Sequence, residues 1–277
     1  MIKLIASDLD GTLLYGRDNS VSGEMFDLIR EMKSAGIIFA AASGRQYHNL
    51  KKIFAPVWQD MAFICENGAA VFYKDQLIAE QVVPKEELLE LVYLIDGDER
   101  AEVALSSSTT TYVRPKTREY VESLIRLGNH VTEVKEWADV TEPCVKVAWY
   151  EKGGVEHRVD YWNSKIKPPA KVVTSGAEWL DVLYPNTHKG VGIRVLLEYF
   201  GVKKEEAAAF GDNYNDTEML EAVGYPIAMN SGKEGIVKMC PYHTDLVEDT
   251  VRQILDGKFP GKYIFTGAVH EKQSIGS

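Results

Sequence analysis

The sequence predicts an α/β fold in which a parallel sheet with helices on both faces is interrupted by an inserted α+β domain. Short apolar runs alternate with segments of helical periodicity in the first third of the chain, and the same alternation returns from Lys189 onward. The length of 277 residues also exceeds the usual size of one hydrophobic core and fits two domains. We therefore expect residues 1–83 and 186–277 to form the core and residues 84–185 to form the insert.

The first half of the predicted core consists of buried strands that are followed by amphipathic helices. The run Ile2–Ala6 is continuous and apolar, which is typical of a strand covered on both faces. The first helix is predicted to begin after Ser22, a good N-cap residue, and to end at Gly36. The remaining predictions are a strand at Ile37–Ala42, a helix through Tyr47, Leu50 and Phe54, a strand at Phe63–Cys65, and a hairpin of Ala69–Tyr73 with Leu77–Val83.

The insert has a mixed pattern of short strands and helices, beginning with a helix at Lys85–Ile95 that has Pro84 at its first position. Its other predicted elements are strands at Thr109–Val113, Val145–Tyr150, Lys171–Ser175 and Trp179–Leu183, and helices at Arg118–Leu127 and Val155–Ile166. In the second half of the core we predict strands at Ala207–Phe210 and Tyr225–Met229, and helices at Val191–Phe200, through Met219, Leu220 and Val223, at Ile236–Met239 and at Val251–Leu255.

The composition excludes several classes of protein. It is 45% hydrophobic and 26% charged, as in ordinary globular domains, and the net charge of -10 disfavours general binding to nucleic acids or anionic membranes. The three cysteines form no CxxC pair, and Ser7, Asp8 and Asp10 interrupt any N-terminal signal sequence. No apolar run approaches the roughly 20 residues of a membrane-spanning helix. We therefore expect a cytoplasmic protein with no nucleic-acid or membrane partner.

Four groups of polar residues follow predicted strands directly. In an open parallel sheet, the carboxyl ends of the strands form the edge at which ligands bind. Each group alone is compatible with an ordinary polar loop, but four of them at one edge indicate a site. The groups are Asp8 with Asp10, Ser43-Gly44-Arg45, Asn67-Gly68, and Asp212 with Asn215 and Asp216.

Several of these side chains are carboxylates, and the sheet would bring Asp8, Asp10, Asp212 and Asp216 into one small volume. Like charges at such short distances raise one another's pKa values or destabilise the fold. Mg²⁺ removes that repulsion and prefers carboxylate and carbonyl oxygens. The alternative is that these aspartates are helix N-caps or solvated turns. That suits Asp216 at a helix start, but not Asp8 at the end of an apolar strand.

The same edge also offers groups that suit a phosphate. Mg²⁺ usually keeps open positions for water and for substrate phosphate. Gly11 and Thr12 can present backbone N–H groups in a tight turn, and Ser43 offers a hydroxyl and an N–H ahead of a helix. Lys189 begins a helix and can supply a positive charge, although taken alone it is compatible with a surface lysine.

Four segments resemble the motifs of the haloacid dehalogenase superfamily. They are DLDGTLL at residues 8–14, SGR at residues 43–45, Lys189, and GDNYND at residues 211–216, and they occur in the superfamily's order and strand-end context. The insert between the second and third motifs resembles the type IIB cap of the Cof-type phosphatases. The resemblance covers the whole chain and implies a Rossmann-like core with an inserted cap.

The resemblance also implies a role for each matching residue. Asp8 would be the nucleophile, Asp10 the general acid/base, and Lys189 the catalytic cation. Asp8, the backbone carbonyl of Asp10 and Asp212 would hold Mg²⁺, supported by Asp216. The implied substrate-binding residues are Leu9, Gly11, Thr12, Ser43, Gly44, Lys189 and Asn215. His188 stands where relatives often carry a small polar residue, and we interpret it as a loop residue at a helix start.

Together these features predict a Mg²⁺-dependent phosphatase of small phosphorylated metabolites, such as sugar phosphates or phosphorylated cofactors, acting through an aspartyl-phosphate. A second aspartate at Asp10 fits this chemistry, because it can protonate the leaving alcohol and later deprotonate water. A phosphomutase of sugar phosphates would carry the same motifs, and a metabolite-binding relative without turnover is a further alternative. A dinucleotide-binding oxidoreductase is disfavoured because no GxGxxG follows the first strand.

Overall fold

The computed structural model describes residues 1–14 and 20–260, so the last seventeen residues of the predicted core range lie outside it. The first part of the chain forms five strands and two helices. These are β1 (Leu4–Asp8), α1 (Gly23–Ser34), β2 (Ile38–Ala42), α2 (Tyr47–Ile53), β3 (Met61–Cys65), β4 (Ala70–Tyr73) and β5 (Gln76–Glu80).

The middle of the chain forms a smaller unit, residues 85–183. Its elements are α3 (Lys85–Asp96), β6 (Ala101–Ser107), β7 (Thr111–Val113), α4 (Arg118–Arg126), β8 (Val131–Glu133), β9 (Cys144–Glu151), α5 (Val159–Lys165), β10 (Lys171–Gly176) and β11 (Trp179–Leu183). Its strands form one sheet in the order β10-β11-β9-β6-β7-β8, antiparallel except for the parallel pair β7 and β8.

The last part of the chain returns to the larger sheet. Its elements are α6 (Lys189–Phe200), β12 (Ala207–Gly211), α7 (Thr217–Glu221), β13 (Tyr225–Met229), α8 (Glu234–Met239), β14 (Tyr242–Thr244) and α9 (Val247–Leu255). The strand order is β14-β13-β12-β1-β2-β3-β4-β5, with parallel pairing from β14 to β3 and an antiparallel β4–β5 hairpin at one edge.

The larger sheet is covered on both faces, as its apolar strands predict. Ile5 of β1 packs with Met25 of α1 and Val247 of α9, whereas Leu4 packs on the other face with Ile193 of α6 and Met219 of α7. Alternate residues of one strand therefore belong to two different hydrophobic cores. The predicted fold class, a parallel α/β core with an inserted α+β unit, is confirmed. The domain boundaries at residues 84 and 185 stay predictions.

Several predicted elements are wrong in their extent, and three strands lack a prediction. The segment Val155–Ile166 is not one helix, because a 3₁₀ turn at Glu156–Arg158 precedes α5. Pro84 is the N-cap of α3 rather than its first residue. The strands β6, β8 and β14 had no prediction. Polar residues interrupt β6, whereas β8 and β14 are only three residues long, so neither gives a clear period-2 signal.

Four strand ends that carry polar residues lie side by side, because β12, β1, β2 and β3 are consecutive parallel neighbours. Asp8, the last residue of β1, is in register with Ala42, the last residue of β2. The sheet thus gathers the loops after residues 8, 42, 65 and 211 at one edge. In the described part of the chain, no helix has the length and apolar character that a membrane crossing requires.

Replacing Ser22 by alanine is expected to lower the free energy of unfolding by about 1 kcal/mol. The Ser22 hydroxyl accepts a hydrogen bond from the N–H of Met25 at 3.0 Å and donates to Oε1 of Glu248 in α9 at 2.6 Å. Chemical denaturation measures the change. Ser34→Ala, at the exposed end of the same helix, is the control and should change stability by less than about 0.5 kcal/mol. An equal effect of both variants would contradict the capping role.

Candidate active site

The loop after β1 is a tight turn that begins at the nucleophile candidate. Asp8 is 5% exposed, and the carbonyl of Leu9 accepts hydrogen bonds from the N–H groups of Thr12, Leu13 and Leu14 at 2.7–3.2 Å. Gly11 has a φ of +96°, and a Cβ there would lie 2.6 Å from Oδ2 of Asp212. Only glycine combines that backbone conformation with such a close approach, so the turn is fitted against the loop after β12.

The loop after β12 is ordered by its last aspartate. Asp216 is fully buried, and its Oδ2 accepts hydrogen bonds from the backbone N–H groups of Asp212 and Asn213, both at 3.1 Å. Thr12 donates its hydroxyl to Oδ1 of Asp212 at 3.2 Å, which ties this loop to the turn after β1. Asp216 occupies the N-cap position of α7, as the alternative explanation expected, but its side chain makes no capping bond to that helix. Its buried carboxylate instead orders the preceding loop, so the explanation as a solvated turn is wrong.

Lys189 is the first residue of α6, and it is 1% exposed. Its amine forms ion pairs with Oδ1 of Asp8 and, at 2.6 Å, with Oδ1 of Asp216. Gly190 lets the start of α6 lie this deep, because the Cβ of any other residue there would collide with the carbonyl oxygen of Glu218. The alternative explanation of Lys189 as a surface lysine is therefore wrong.

Asp8, Asp212 and Asp216 form a group of carboxylates whose nearest oxygens lie within 4.8 Å of one another. Burial raises the pKa of Asp8 to about 7; Lys189 lowers it in part, and Asp216 raises it further. Burial and Asp216 also raise the pKa of Asp212. Burial disfavours the Lys189 ammonium, but Asp8 and Asp216 outweigh this and raise its pKa.

The charges and donor atoms of this group fit a hard divalent cation. Three carboxylates face one ammonium, which leaves two negative charges without compensation when all are ionised. All the donors are oxygens, which Mg²⁺ prefers, and Asp212 is only partly buried, so the group opens toward solvent. The residues present therefore fit a magnesium ion.

Asp10 lies at the exposed side of the turn, with 52% of its side chain accessible. Arg45 donates to both of its carboxylate oxygens, from Nη2 at 2.6 Å and from Nε at 3.2 Å. The guanidinium thus fixes the Asp10 carboxylate in a bidentate pair. The structure brings Asp10 into contact with the SGR segment rather than with the buried carboxylates, so its role stays a prediction.

The remaining predicted residues lie around this centre. Leu9 and Thr12 are fully buried, and Ser43 is 2% exposed, with its N–H donating to the carbonyl of Ile64 at 2.9 Å. Gly44 lies against the Asn67 side chain, where a Cβ would be 3.1 Å from Nδ2. Asn215 is exposed on the 3₁₀ turn Tyr214–Asp216. The phosphate-binding roles of these residues stay predictions.

His188 is the N-cap of α6 and is partly buried, and burial lowers its pKa. Its carbonyl oxygen lies where a Cβ of Gly68 would be, so the loop after β3 packs directly on the residue before Lys189. The interpretation of His188 as a loop residue at a helix start agrees with this position.

Two charged residues at the edge of the site were missed by the sequence reasoning. Lys146 of β9 lies 2.5 Å from Oε2 of Glu66, in the loop after β3, and its amine donates to the carbonyl of Gly44 at 3.1 Å. The available signal was a lysine inside the otherwise apolar run at residues 144–150. In a buried strand such a residue needs a partner of opposite charge.

Comparison with known proteins gives relatives over nearly the whole chain. The Escherichia coli 5-amino-6-(5-phospho-D-ribitylamino)uracil phosphatase YbjI is 26% identical over 279 residues, which covers 94% of this chain and 98% of the relative. Phosphoglycolate phosphatase 1 of Saccharolobus solfataricus is 24% identical over 269 residues, which covers 94% of this chain and 99% of the relative.

Solved structures share the fold at similar identity. A Streptococcus mutans protein superposes with a TM-score of 0.79 at 24% identity, covering 92% of this chain and all of its own. The subclass IIB sugar phosphatase BT4131 of the haloacid dehalogenase superfamily superposes with a TM-score of 0.73 at 20% identity, covering 91% of this chain and 98% of its own.

The family model described as haloacid dehalogenase-like hydrolase matches residues 5–253. That range contains all four motifs and the inserted unit, which we call the cap from here on. The resemblance inferred from the motifs is confirmed, and the relatives named above are phosphatases. The chain therefore belongs to the haloacid dehalogenase-like hydrolase family.

Proposed function

We propose that the protein is a Mg²⁺-dependent phosphatase of small phosphorylated metabolites that forms an aspartyl-phosphate on Asp8. The observation that supports this most directly is the buried group of Asp8, Asp212 and Asp216 around the Lys189 amine. A structural role alone would not require three carboxylates in one volume, because their repulsion opposes folding.

Asp8, Asp212 and Asp216 are the residues that would hold the magnesium ion. When bound, the ion would neutralise negative charge on the carboxylates and on the phosphoryl oxygens. Lys189 adds a fixed positive charge to the same volume, so the nucleophile can approach an anionic ester. The Ser43 hydroxyl is the donor that would orient a phosphoryl oxygen, since the N–H groups of Ser43 and Thr12 and the Thr12 hydroxyl already donate to other groups of the protein.

The reaction needs two displacements at phosphorus. In the first, a carboxylate oxygen of Asp8 bonds to phosphorus while the bond to the ester oxygen breaks, and Asp10, protonated after it leaves the Arg45 pair, gives its proton to the leaving oxygen. In the second, Asp10 takes a proton from water as the water oxygen bonds to phosphorus. The bond to Asp8 then breaks, which releases inorganic phosphate and restores both residues.

Small metabolites are the substrate class that the relatives support. The names of the two curated relatives specify phosphate esters of a ribitylaminouracil and of glycolate. A cap that contacts the loops after β2 and β3 would exclude water from such a substrate and would not admit a folded protein. A cytoplasmic location is part of the proposal, supported by three cysteines that are all free and buried.

Removal of the metal is expected to abolish activity. A panel of phosphorylated metabolites is incubated with the protein in Mg²⁺ and in excess chelator, and released phosphate is measured. We expect at least one sugar phosphate or phosphorylated cofactor to be hydrolysed, with a loss of about 10²-fold or more in chelator that Mg²⁺ restores. Equal rates in chelator would contradict the magnesium requirement, and an isomeric phosphate ester instead of free phosphate would indicate a mutase.

A further inference from the structure

A buried ion pair joins the cap to the core beside the candidate active site. Lys146 of β9, in the cap, lies 2.5 Å from Glu66 of the core and 3.3 Å from Asp181 of β11, in the cap. The three side chains are 10%, 3% and 2% exposed. Among residues 1–14 and 20–260, this is the ion pair within 4.0 Å that connects the two units; the other cap pairs stay within the cap.

The lysine also contacts the loop that leads from β2 to α2. Its amine donates to the carbonyl of Gly44 at 3.1 Å, and Gly44 follows Ser43, a predicted phosphate-binding residue. The N–H of Asn67 donates to the carbonyl of Ser43 at 3.0 Å, and the N–H of Glu66 donates to the carbonyl of Arg45 at 3.1 Å. Through these bonds the loop after β3 supports the SGR segment from the core, and Lys146 contacts the same segment from the cap.

The loop after β3 is shaped for this contact. Glu66 and Asn67 have φ values of +50° and +56°, which are uncommon for residues other than glycine and are maintained only where surrounding contacts enforce them. Burial raises the pKa of the Glu66 carboxyl, and Lys146 partly offsets this. The buried Glu66 carboxylate therefore depends on the cap lysine for its compensation.

We propose that Lys146 and Glu66 are positioning residues that hold the cap against the core and thereby fix the Ser43–Gly44 segment for phosphoryl binding. The kinetic part of this inference rests on the proposed phosphatase function. Neither residue touches the reacting atoms in the proposed mechanism. Loss of the pair should therefore weaken substrate binding and cap closure more than the chemical step.

Glu66→Gln is the sharpest test, because glutamine keeps the shape and leaves Lys146 paired with Asp181. With a substrate identified by the panel, KM should rise about tenfold or more, while kcat stays within about threefold. Small-angle X-ray scattering should show a larger radius of gyration as the cap moves away. This second readout does not depend on turnover.

Lys146→Met should raise KM and the radius of gyration more than Glu66→Gln does, since it leaves Glu66 and Asp181 facing each other without a cation. The double variant with Glu66→Gln should have a lower KM than Lys146→Met alone, because one of the two repelling charges is then gone. This coupling is what a double-mutant cycle measures. Additive effects of the two changes would overturn the proposal.

Glu151→Gln is the matched control. Glu151 is a buried glutamate whose Oε2 accepts from Nε of Arg158 at 2.9 Å, entirely within the cap. This variant is expected to melt at a lower temperature while KM and the radius of gyration stay unchanged. If it raised KM as Glu66→Gln does, the effect would be one of general stability and the positioning role would be overturned.

The two proposals fail in distinguishable ways. If wild-type protein releases no phosphate from any ester, the proposed function fails and the scattering comparison alone decides the inference. If wild-type protein turns over and Glu66→Gln keeps both KM and the radius of gyration of the wild type, the inference is overturned while the proposed function stands.

Discussion

Replacing Asp8 by asparagine is expected to abolish phosphate release, with a fall in kcat of at least about 10³-fold, while the protein stays folded. Asparagine keeps the shape of the side chain but lacks the anionic oxygen that would bond to phosphorus. No neighbouring residue of the turn can replace it, since Asp8 is buried at the end of β1 whereas Asp10 lies on the exposed side of the turn.

The same substitution should stabilise the protein in chelator, and the gain should grow with pH. Burial raises the pKa of Asp8 from its ordinary value of 3.8 to about 7 in the folded state. Between these values the folded state binds more protons than the unfolded state, so the free energy of unfolding falls as pH rises. Asparagine does not ionise, so the variant lacks this pH-dependent loss of stability and the repulsion between Asp8 and the carboxylates of Asp216 and Asp212.

Two measurements test the prediction for Asp8. Steady-state phosphate release gives kcat, and chemical denaturation in chelator at roughly pH 5 and pH 8 gives stability at one pH within the range from 3.8 to about 7 and at one pH above it. Asp27→Asn, at a largely exposed position of α1, is the control and should leave both quantities unchanged. Survival of turnover in Asp8→Asn would make the nucleophile assignment wrong, and an equal stability difference at the two pH values would contradict the electrostatic explanation.

Replacing Lys189 by methionine is expected to lower both activity and stability. The change removes the positive charge that Asp8 and Asp216 share, and it leaves buried carboxylates without compensation. Breaking a buried ion pair in this way costs about 3–5 kcal/mol, and loss of a charge that stabilises the transition state costs about 10²–10³-fold in kcat.

Magnesium should recover part of the stability of Lys189→Met, because the cation compensates the same carboxylates. Denaturation in chelator and in Mg²⁺ measures this difference for wild type, for Lys189→Met and for Lys204→Met. Lys204 is an exposed lysine that bonds to the carbonyl of Glu221, and its replacement should change stability by less than about 0.5 kcal/mol. A Lys189→Met protein as stable as wild type in chelator would contradict the charge balance proposed for the site.

The sequence was sufficient to predict the parts of the fold that are set by local pattern. Buried parallel strands such as β2 and β13 are continuous apolar runs. Ser22 caps the start of α1 and Gly201 ends α6, as their residue types indicate. The polar residues after strand ends likewise predicted which loops meet, because parallel neighbours place their carboxyl ends at one edge.

The contacts across the cap interface were not predictable in the same way. Glu66 was part of a turn signal, and Lys146 was one lysine in an apolar strand. The sequence around either residue does not identify the other as its partner. Their partnership depends on how a strand of one sheet is placed over a loop of another, which no local period encodes. The ion pair between Asp10 and Arg45 is similar, because it depends on the path of two loops rather than on their composition.

The position of the insert separates Asp8 from its buried cation by 181 residues of chain. During synthesis, β1 is made early, but β12, its neighbour on one side, is made only after the entire cap. A nascent chain that stops before α6 therefore has Asp8 on an edge strand and lacks Lys189, its partner in the ion pair. The proposed active site can therefore be completed only after the final third of the polypeptide has been made.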